Sequence, residues 1–159
     1  MRRVNLADPE FTYDADEPEG FRAGMFRFGP QLGAQATGSS FYEIPPGQSI
    51  CPYHYEVGEE EWLLVLSGEP TLRDPDGEHR LEPLDCVFFP TGEDGAHAIR
   101  NDTSETVRVL MYSQNCTPAV CVYPDSDKVG VFTDERSPAA RGNFPRSAAV
   151  DYYFGEAGA

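Results

Sequence analysis

The sequence predicts an all-β fold, an antiparallel sandwich or barrel, and two observations lead to this prediction. Between Ser40 and Ser113, short apolar runs alternate with turn signals at the spacing that is typical of strands in such folds. No long segment shows apolar residues with the 3.6-residue period and the caps of an amphipathic helix. We therefore expect little helix.

The predicted strands follow one another closely through this part of the chain. In chain order they cover residues 41–44, 61–66, 71–73, 79–81, 86–89, 96–100 and 107–112. The sequence Asp-Pro-Asp-Gly at 74–77 lies between the third and fourth of these runs and is a strong hairpin signal. Asn101 opens another turn, where Asn suits a positive φ angle. These strands form the predicted barrel core, residues 40–113.

The two flanking segments belong to the same predicted domain. Residues 1–39 form an N-terminal arm, rich in aromatic anchors and with an edge strand at 26–28, which packs on the barrel or swaps with a partner. Residues 114–159 form a C-terminal tail with strands at 119–123 and 129–132. Within this tail we expect a surface loop at 133–147 and an aromatic segment at 151–156 that docks back on the domain.

Composition excludes several classes of partner. The chain carries 27 acidic and 12 basic residues, a net charge of −15, so it lacks the basic footprint that nucleic acids or anionic membrane surfaces require. It has no apolar run long enough to span a bilayer and no signal-peptide pattern, which predicts a cytoplasmic protein. Four cysteines without a Cys-x-x-Cys pair favour free thiols.

Four residues form a candidate metal site. His54 and Glu56 stand two positions apart, and on a strand this spacing directs both side chains to the same face. Glu61 opens the next strand, and His97 stands on a later one, so all four side chains can converge inside a barrel. Imidazole and carboxylate ligands suit iron, manganese, nickel or zinc, and an octahedral shell would keep positions open for substrate.

The same residues carry a resemblance to the cupin superfamily, over roughly residues 40–113. The first cupin motif is matched at His54, Glu61 and Gly68, with Glu56 where the second histidine of the motif belongs and Gly47 one position early. In the second motif Leu84 stands at the glycine position, and the gap before the histidine is four residues instead of two. The matching residues of that motif are Pro90, Gly92, His97 and Asn101.

The resemblance implies an antiparallel double-stranded β-helix, or jelly-roll barrel, like that of small bacterial single-domain cupins. That group usually carries histidine at the position of Glu56, and three interpretations of the role of Glu56 stay open. It is a metal ligand that favours harder ions, or a catalytic general base whose pKa is raised by apolar surroundings, or the mark of a metal site that has decayed.

Function is less determined than fold, because cupin barrels serve many activities. We expect a metal-dependent enzyme that acts on a small polar organic molecule, with dioxygenase- or isomerase-type chemistry. The alternatives are a non-catalytic cupin that binds or senses a small molecule, and a purely structural dimer whose interior is filled. A homodimer is expected in each case, with the arm at residues 11–28 adding a strand to a partner's sheet edge.

Overall fold

The structure, a computed structural model, describes residues 1–133 and 141–157. These residues form an almost purely β fold, as the sequence predicts. The strands are Gly24–Arg27 (β1), Thr37–Ile44 (β2), Tyr55–Glu56 (β3), Glu61–Ser67 (β4), Thr71–Asp74 (β5), Gly77–Arg80 (β6), Cys86–Phe89 (β7), Ala98–Arg100 (β8), Val107–Gln114 (β9), Ala119–Tyr123 (β10), Lys128–Phe132 (β11) and Gly142–Pro145 (β12). The described helical segments are one α-turn, Gly29–Leu32 (α1), and short 3₁₀ turns at Glu93–Gly95, Pro124–Ser126 and Arg146–Ala148.

The strands pair into three antiparallel sheets. The largest has the order β1-β2-β9-β4-β7, the second β12-β11-β10-β3, and the third β6-β5-β8. Side chains alternate across β4, where Leu63 and Val65 are fully buried and Trp62 between Glu61 and Leu63 is 47% exposed. The inner faces share one apolar core, which also contains Ile44 and Ile99. Tyr42, Ile50 and Met111 pack against this core and also line the cavity described below.

The N-terminal arm covers the outer face of the largest sheet. Phe28, Phe41 and Leu110 form a second apolar cluster there, and the arm supplies its cover through Val4, Leu6 and Phe11. The Phe11 ring meets the Phe41 ring edge-on, with centroids 5.2 Å apart. The arm therefore packs on its own chain, with β1 as the edge strand, and homodimer formation stays a prediction.

Asn101 has a different role from the predicted turn residue. It is fully buried, and its φ angle is not among the positive ones. Its amide nitrogen donates to the carbonyl oxygens of Ile44 (2.8 Å) and Glu105 (2.7 Å). Its amide oxygen accepts from the backbone nitrogen and the hydroxyl of Thr103. Asn101 thus ties the start of β9 to the end of β2, which a turn interpretation did not predict.

Leu84 explains why the second cupin motif has glycine at this position. Its φ angle is +78°, in the left-handed region that glycine adopts without strain and leucine does not. The side chain is 76% exposed and so gains little from packing. The turn before β7 therefore has the left-handed backbone conformation that suits the glycine of the motif, and Leu84 adopts it with strain.

The C-terminal tail differs from the prediction in two places. β12 lies within the segment 133–147 that the sequence predicts as a loop, and it pairs with β11; residues 134–140 of that segment lie outside the described residues. The aromatic residues at 151–156 do not dock back, because Tyr152 is 87% and Phe154 is 72% exposed. No helix among the described residues is long and apolar enough to cross a membrane.

Candidate metal centre

Two histidines are placed side by side by their own backbones. His54 lies just before β3 and His97 just before β8, and the two residues form an antiparallel bridge. The His54 nitrogen donates to the His97 oxygen over 3.1 Å, and the His97 nitrogen donates to the His54 oxygen over 2.8 Å. Directly paired residues of antiparallel strands present their side chains on one face. The ring centroids are accordingly 4.8 Å apart, with both side chains buried.

Hydrogen bonds fix the tautomer of both rings. Nδ1 of His54 lies 3.0 Å from the Pro52 carbonyl oxygen, and Nδ1 of His97 lies 2.9 Å from the Gly95 carbonyl oxygen. A carbonyl oxygen only accepts, so each Nδ1 carries the proton and donates it. Each Nε2 is left with a free lone pair, which is the form that binds a metal.

Burial keeps the two rings uncharged. It is the largest cause that lowers the pKa of His97 to about 3, and the neighbouring His54 contributes to the same shift. Burial also lowers the pKa of His54. The Phe89 ring stacks on His97 with centroids 3.8 Å apart and planes 12° apart, which holds the imidazole in place. Both rings are therefore neutral imidazoles at physiological pH.

The longer turn before His97 supports the histidine rather than displacing it. Residues Glu93–Gly95 form a 3₁₀ turn, and its last carbonyl accepts the hydrogen bond from His97 Nδ1. A Cβ atom on Gly95 would lie 1.7 Å from the Pro90 oxygen, so no other residue fits this tight turn. The four-residue gap in the second motif is thus an ordered part of the site.

Glu61 completes a cluster of three. It is the first residue of β4 and faces inward, in alternation with the exposed Trp62. Its Oε2 atom lies 3.5 Å from His97 Nε2, and one ligand atom from each of His54, Glu61 and His97 lies within 4.8 Å of the others. The sequence spacing that selected Glu61 from its run of three glutamates agrees with this position.

Glu56 borders the cluster but is not part of it. Its Oε1 atom lies 3.7 Å from His54 Nε2, on the same side as the sequence spacing predicts. Burial, first, and the neighbouring Glu61 and Glu59 carboxylates raise the pKa of Glu56 to about 8. Burial, followed by the charge of Glu59, raises the pKa of Glu61 to about 7. The interpretations of Glu56 as ligand and as base both stay open.

The donor set fits a divalent cation. Oε2 of Glu56 and Oε2 of Glu61 are buried without a hydrogen-bond partner, and each histidine Nε2 presents a lone pair. Buried acceptors without donors are costly, and a cation satisfies several of them at once. Imidazole nitrogen with carboxylate oxygen suits iron, manganese, nickel or zinc. The identity of the metal stays a prediction.

The cluster lines a cavity of about 340 Å³. Tyr42 and Met111 from the largest sheet line its wall, and burial is the main cause that raises the pKa of Tyr42 to about 12. Arg27 and Asn115 are exposed and mark the mouth of the cavity. Arg27 was not among the predicted site residues, although strand alternation places it on the opposite face from Phe26.

The cysteines are free thiols, and one of them touches the site. Cys51 places its sulfur 3.6 Å from His54 Nδ1, and burial is the main cause that raises the pKa of this thiol. A thiol that resists ionisation is a poor ligand and a poor nucleophile. Cys51 therefore packs beside His54 as a small neutral side chain.

Comparisons with known proteins agree with this architecture. The family model for the cupin domain matches residues 40–113. None of the curated proteins matches the chain. Among solved structures, a protein from Acidithiobacillus ferrooxidans proposed to be a sugar phosphate isomerase shows 26% identity and a TM-score of 0.78, covering 92% of this chain and 90% of that one.

Two further solved structures extend the comparison. A sugar phosphate isomerase of the cupin superfamily from Silicibacter pomeroyi shows 20% identity and a TM-score of 0.80, covering 94% of this chain and 97% of that one. The polyketide cyclase RemF from Streptomyces resistomycificus shows 25% identity and a TM-score of 0.61, covering 75% of this chain and 83% of that one. The family-model match over residues 40–113, together with the β-barrel fold that these structures share, identifies a cupin domain in this chain.

Proposed function

We propose that the protein is a metal-dependent enzyme that acts on a small polar organic molecule inside the barrel. The observation that carries the proposal is the buried convergence of His54, Glu61 and His97 at a cavity of about 340 Å³. A divalent metal held there would supply Lewis-acid polarisation of a substrate oxygen or a redox centre. This fits the isomerase- and dioxygenase-type reactions that the sequence analysis expects.

The chain's own residues supply the remaining functions of such a site. Glu56 is not among the residues that line the cavity, but its Oε1 atom lies 3.7 Å from Nε2 of His54, which does. With a pKa of about 8, Glu56 can take up or release a proton beside His54 at neutral pH. Phe89 and the Gly95 carbonyl hold His97 in one orientation. Ile50 and Met111 line the cavity with apolar surface, which limits access of water to a bound molecule.

Similarity to the A. ferrooxidans protein supports the isomerase class. That protein is proposed to act on sugar phosphates, and it shares 26% of its residues with this chain over nearly the whole length of both. An aldose–ketose isomerase moves a proton between neighbouring carbons and needs one group that shuttles the proton and one that polarises the oxygen. Glu56 and the metal site could divide these two tasks.

Metal uptake tests the proposal directly. We expect the purified protein to bind about one divalent ion per chain when titrated with manganese, iron, nickel or zinc, as measured by elemental analysis and calorimetry. The His54→Ala variant should lose this binding. His79→Ala is the matched control, because His79 is an exposed histidine that contacts Asp74, away from the cluster.

Two outcomes of this experiment contradict the proposal. Wild-type protein that is folded by circular dichroism but takes up no metal would overturn it. So would equal metal binding by the wild type and by His54→Ala. If His54→Ala fails to fold, the rise in wild-type melting temperature with added metal provides the same information, since a ligand that binds only the native state must raise it.

A non-catalytic cupin that binds or senses a small molecule is the alternative. It would use the same cavity, so the discriminating result is a ligand-induced rise in melting temperature without turnover. The cavity itself counts against a purely structural role, which requires a filled interior. A homodimer and a cytoplasmic location stay predictions, and light scattering that shows a monomer at micromolar concentration would contradict the first.

A further inference from the structure

Arg27 occupies an unusual position for a basic residue in this protein. It lies on the edge strand β1 and lines the same cavity as His54, Glu61 and His97, at the exposed mouth. Its neighbours Phe26 and Phe28 face the opposite way, into the apolar cluster under the N-terminal arm. The alternation of the strand thus directs the guanidinium toward the cavity and the two rings away from it.

The strand register relates Arg27 to Glu61. Arg27 pairs with Ser40, which pairs with Met111, so these three side chains form one row across the inner face of the sheet. In the adjacent row, Ser113 pairs with Glu61 of β4. With strands about 4.8 Å apart, β1 and β4 are separated by about 14 Å across the sheet. A small molecule can therefore contact the candidate metal ligands at one end and Arg27 at the other.

The Arg27 side chain has no carboxylate partner, unlike most of the described arginines. The chain has 27 acidic and 12 basic residues, so carboxylates are abundant. Six described arginines pair with a carboxylate within 4 Å, namely Arg22, Arg73, Arg80, Arg100, Arg108 and Arg146. Within residues 1–133 and 141–157, the guanidinium of Arg27 makes no ion pair and no hydrogen bond, while its backbone pairs with Ser40. A permanently charged group with five donors is thus left free at the mouth of the cavity.

Polar groups beside Arg27 suit the same kind of ligand. The hydroxyls of Ser40 and Ser113 line the cavity and can donate to an anionic oxygen. The amide nitrogen of Asn115 donates a hydrogen bond to the Gln35 carbonyl oxygen over 3.0 Å, which holds this side of the mouth in place. A Cβ atom on Gly38 would lie 2.5 Å from Ser113 Oγ, so the missing side chain leaves the serine free to turn toward a ligand.

We propose that Arg27, with Ser40 and Ser113, forms a subsite for an anionic oxygen group, a phosphate or a carboxylate, on the substrate of this cavity. Arginine binds such groups through two parallel hydrogen bonds, which fixes the orientation of the ligand as well as its position. Contact between the rest of this ligand and a metal rests on the proposed function. The anion subsite itself does not depend on the metal.

Anion binding by the full chain tests the subsite. The probes are inorganic phosphate and acetate, titrated by calorimetry into metal-free protein and into protein loaded with manganese, with glycerol as the neutral comparison. We expect Arg27→Gln to bind the preferred anion at least about tenfold more weakly than the wild type in both preparations. Arg3→Gln, which makes the same charge change at an exposed site outside the cavity, should bind like the wild type.

The outcomes separate this inference from the proposed function. Arg27-dependent anion binding in a protein that takes up no metal would support the subsite and overturn the metal-dependent function. Metal binding with equal anion affinity in the wild type and Arg27→Gln would overturn the subsite alone. An equal loss in Arg27→Gln and Arg3→Gln would also overturn it, because the effect would then come from net charge. Circular dichroism confirms that each variant is folded.

Discussion

The affinity of the site for a divalent metal should rise steeply with pH between 6 and 8. Metal ligands must be deprotonated, so binding competes with protons. Both histidines have lowered pKa values and are neutral throughout this range. The carboxyls of Glu61 and Glu56, with pKa values of about 7 and about 8, are the groups that change.

The size of the increase reveals the role of Glu56. A carboxyl with the pKa of Glu61 is about one-tenth ionised at pH 6 and about nine-tenths ionised at pH 8, a tenfold gain in affinity. A carboxyl with the pKa of Glu56 adds about fiftyfold over the same range. We therefore expect roughly a 500-fold rise if both carboxylates bind the metal, and about tenfold if Glu61 binds alone.

The Glu56→Gln variant provides the internal comparison. If Glu56 is a ligand, the variant should bind metal more weakly at pH 8 and show only the tenfold pH dependence. If Glu56 is a base, wild type and variant should show the same affinity and the same slope. Calorimetry at pH 6, 7 and 8 in two buffers of different protonation enthalpy measures affinity and counts released protons. A metal affinity that is constant from pH 6 to 8, without proton release, would refute the reasoning.

Three further predictions concern stability. Leu84→Gly should raise the free energy of unfolding by about 1 kcal/mol, because it removes left-handed strain, whereas Val57→Gly at an exposed position should lower it; urea titration measures both. Asn101→Ala should lower it by about 3 kcal/mol, because the buried Ile44 carbonyl oxygen and the partly buried Glu105 carbonyl oxygen lose a donor, and an unchanged urea midpoint would contradict this role. The free energy of unfolding of the metal-free protein should fall by about 2 kcal/mol between pH 6.5 and 8. In the unfolded chain Glu56 and Glu61 ionise near their ordinary pKa of 4.5, whereas the folded protein retains their protons. Bound metal should abolish this loss of stability.

The parts of the site that lie close together in sequence could be predicted. The two-residue spacing of His54 and Glu56 specifies one face of a strand, and the structure places their side chains on one side. The distance from Glu61 to the turn at Gly68 selects one glutamate from a run of three. Gly68 has a φ angle of +79°, and a Cβ atom there would lie 2.7 Å from a Val107 side-chain carbon, which explains why that spacing is restricted.

The parts that depend on pairing between distant strands could not be predicted. Arg27 reaches the cavity only because β1 pairs with β2 in a register that no local pattern specifies. Asn101 resembles an ordinary turn residue in the sequence, and its buried partner, the Ile44 carbonyl oxygen, lies on the distant strand β2. The tail shows the opposite error, because aromatic content at Tyr152 and Phe154 predicted docking, while the described chain offers these rings no surface that buries them.

The backbone bridge between His54 and His97 has a consequence for how this kind of site can diversify. Main-chain hydrogen bonds, rather than a bound ion, set the separation of the two imidazoles. The neighbouring position 56 can then exchange histidine for glutamate without moving either ring. Such an exchange changes the charge and hardness of the pocket while its geometry stays constant. Where residue 56 supplies a metal ligand, metal preference can therefore change through one substitution while the backbone bridge stays the same.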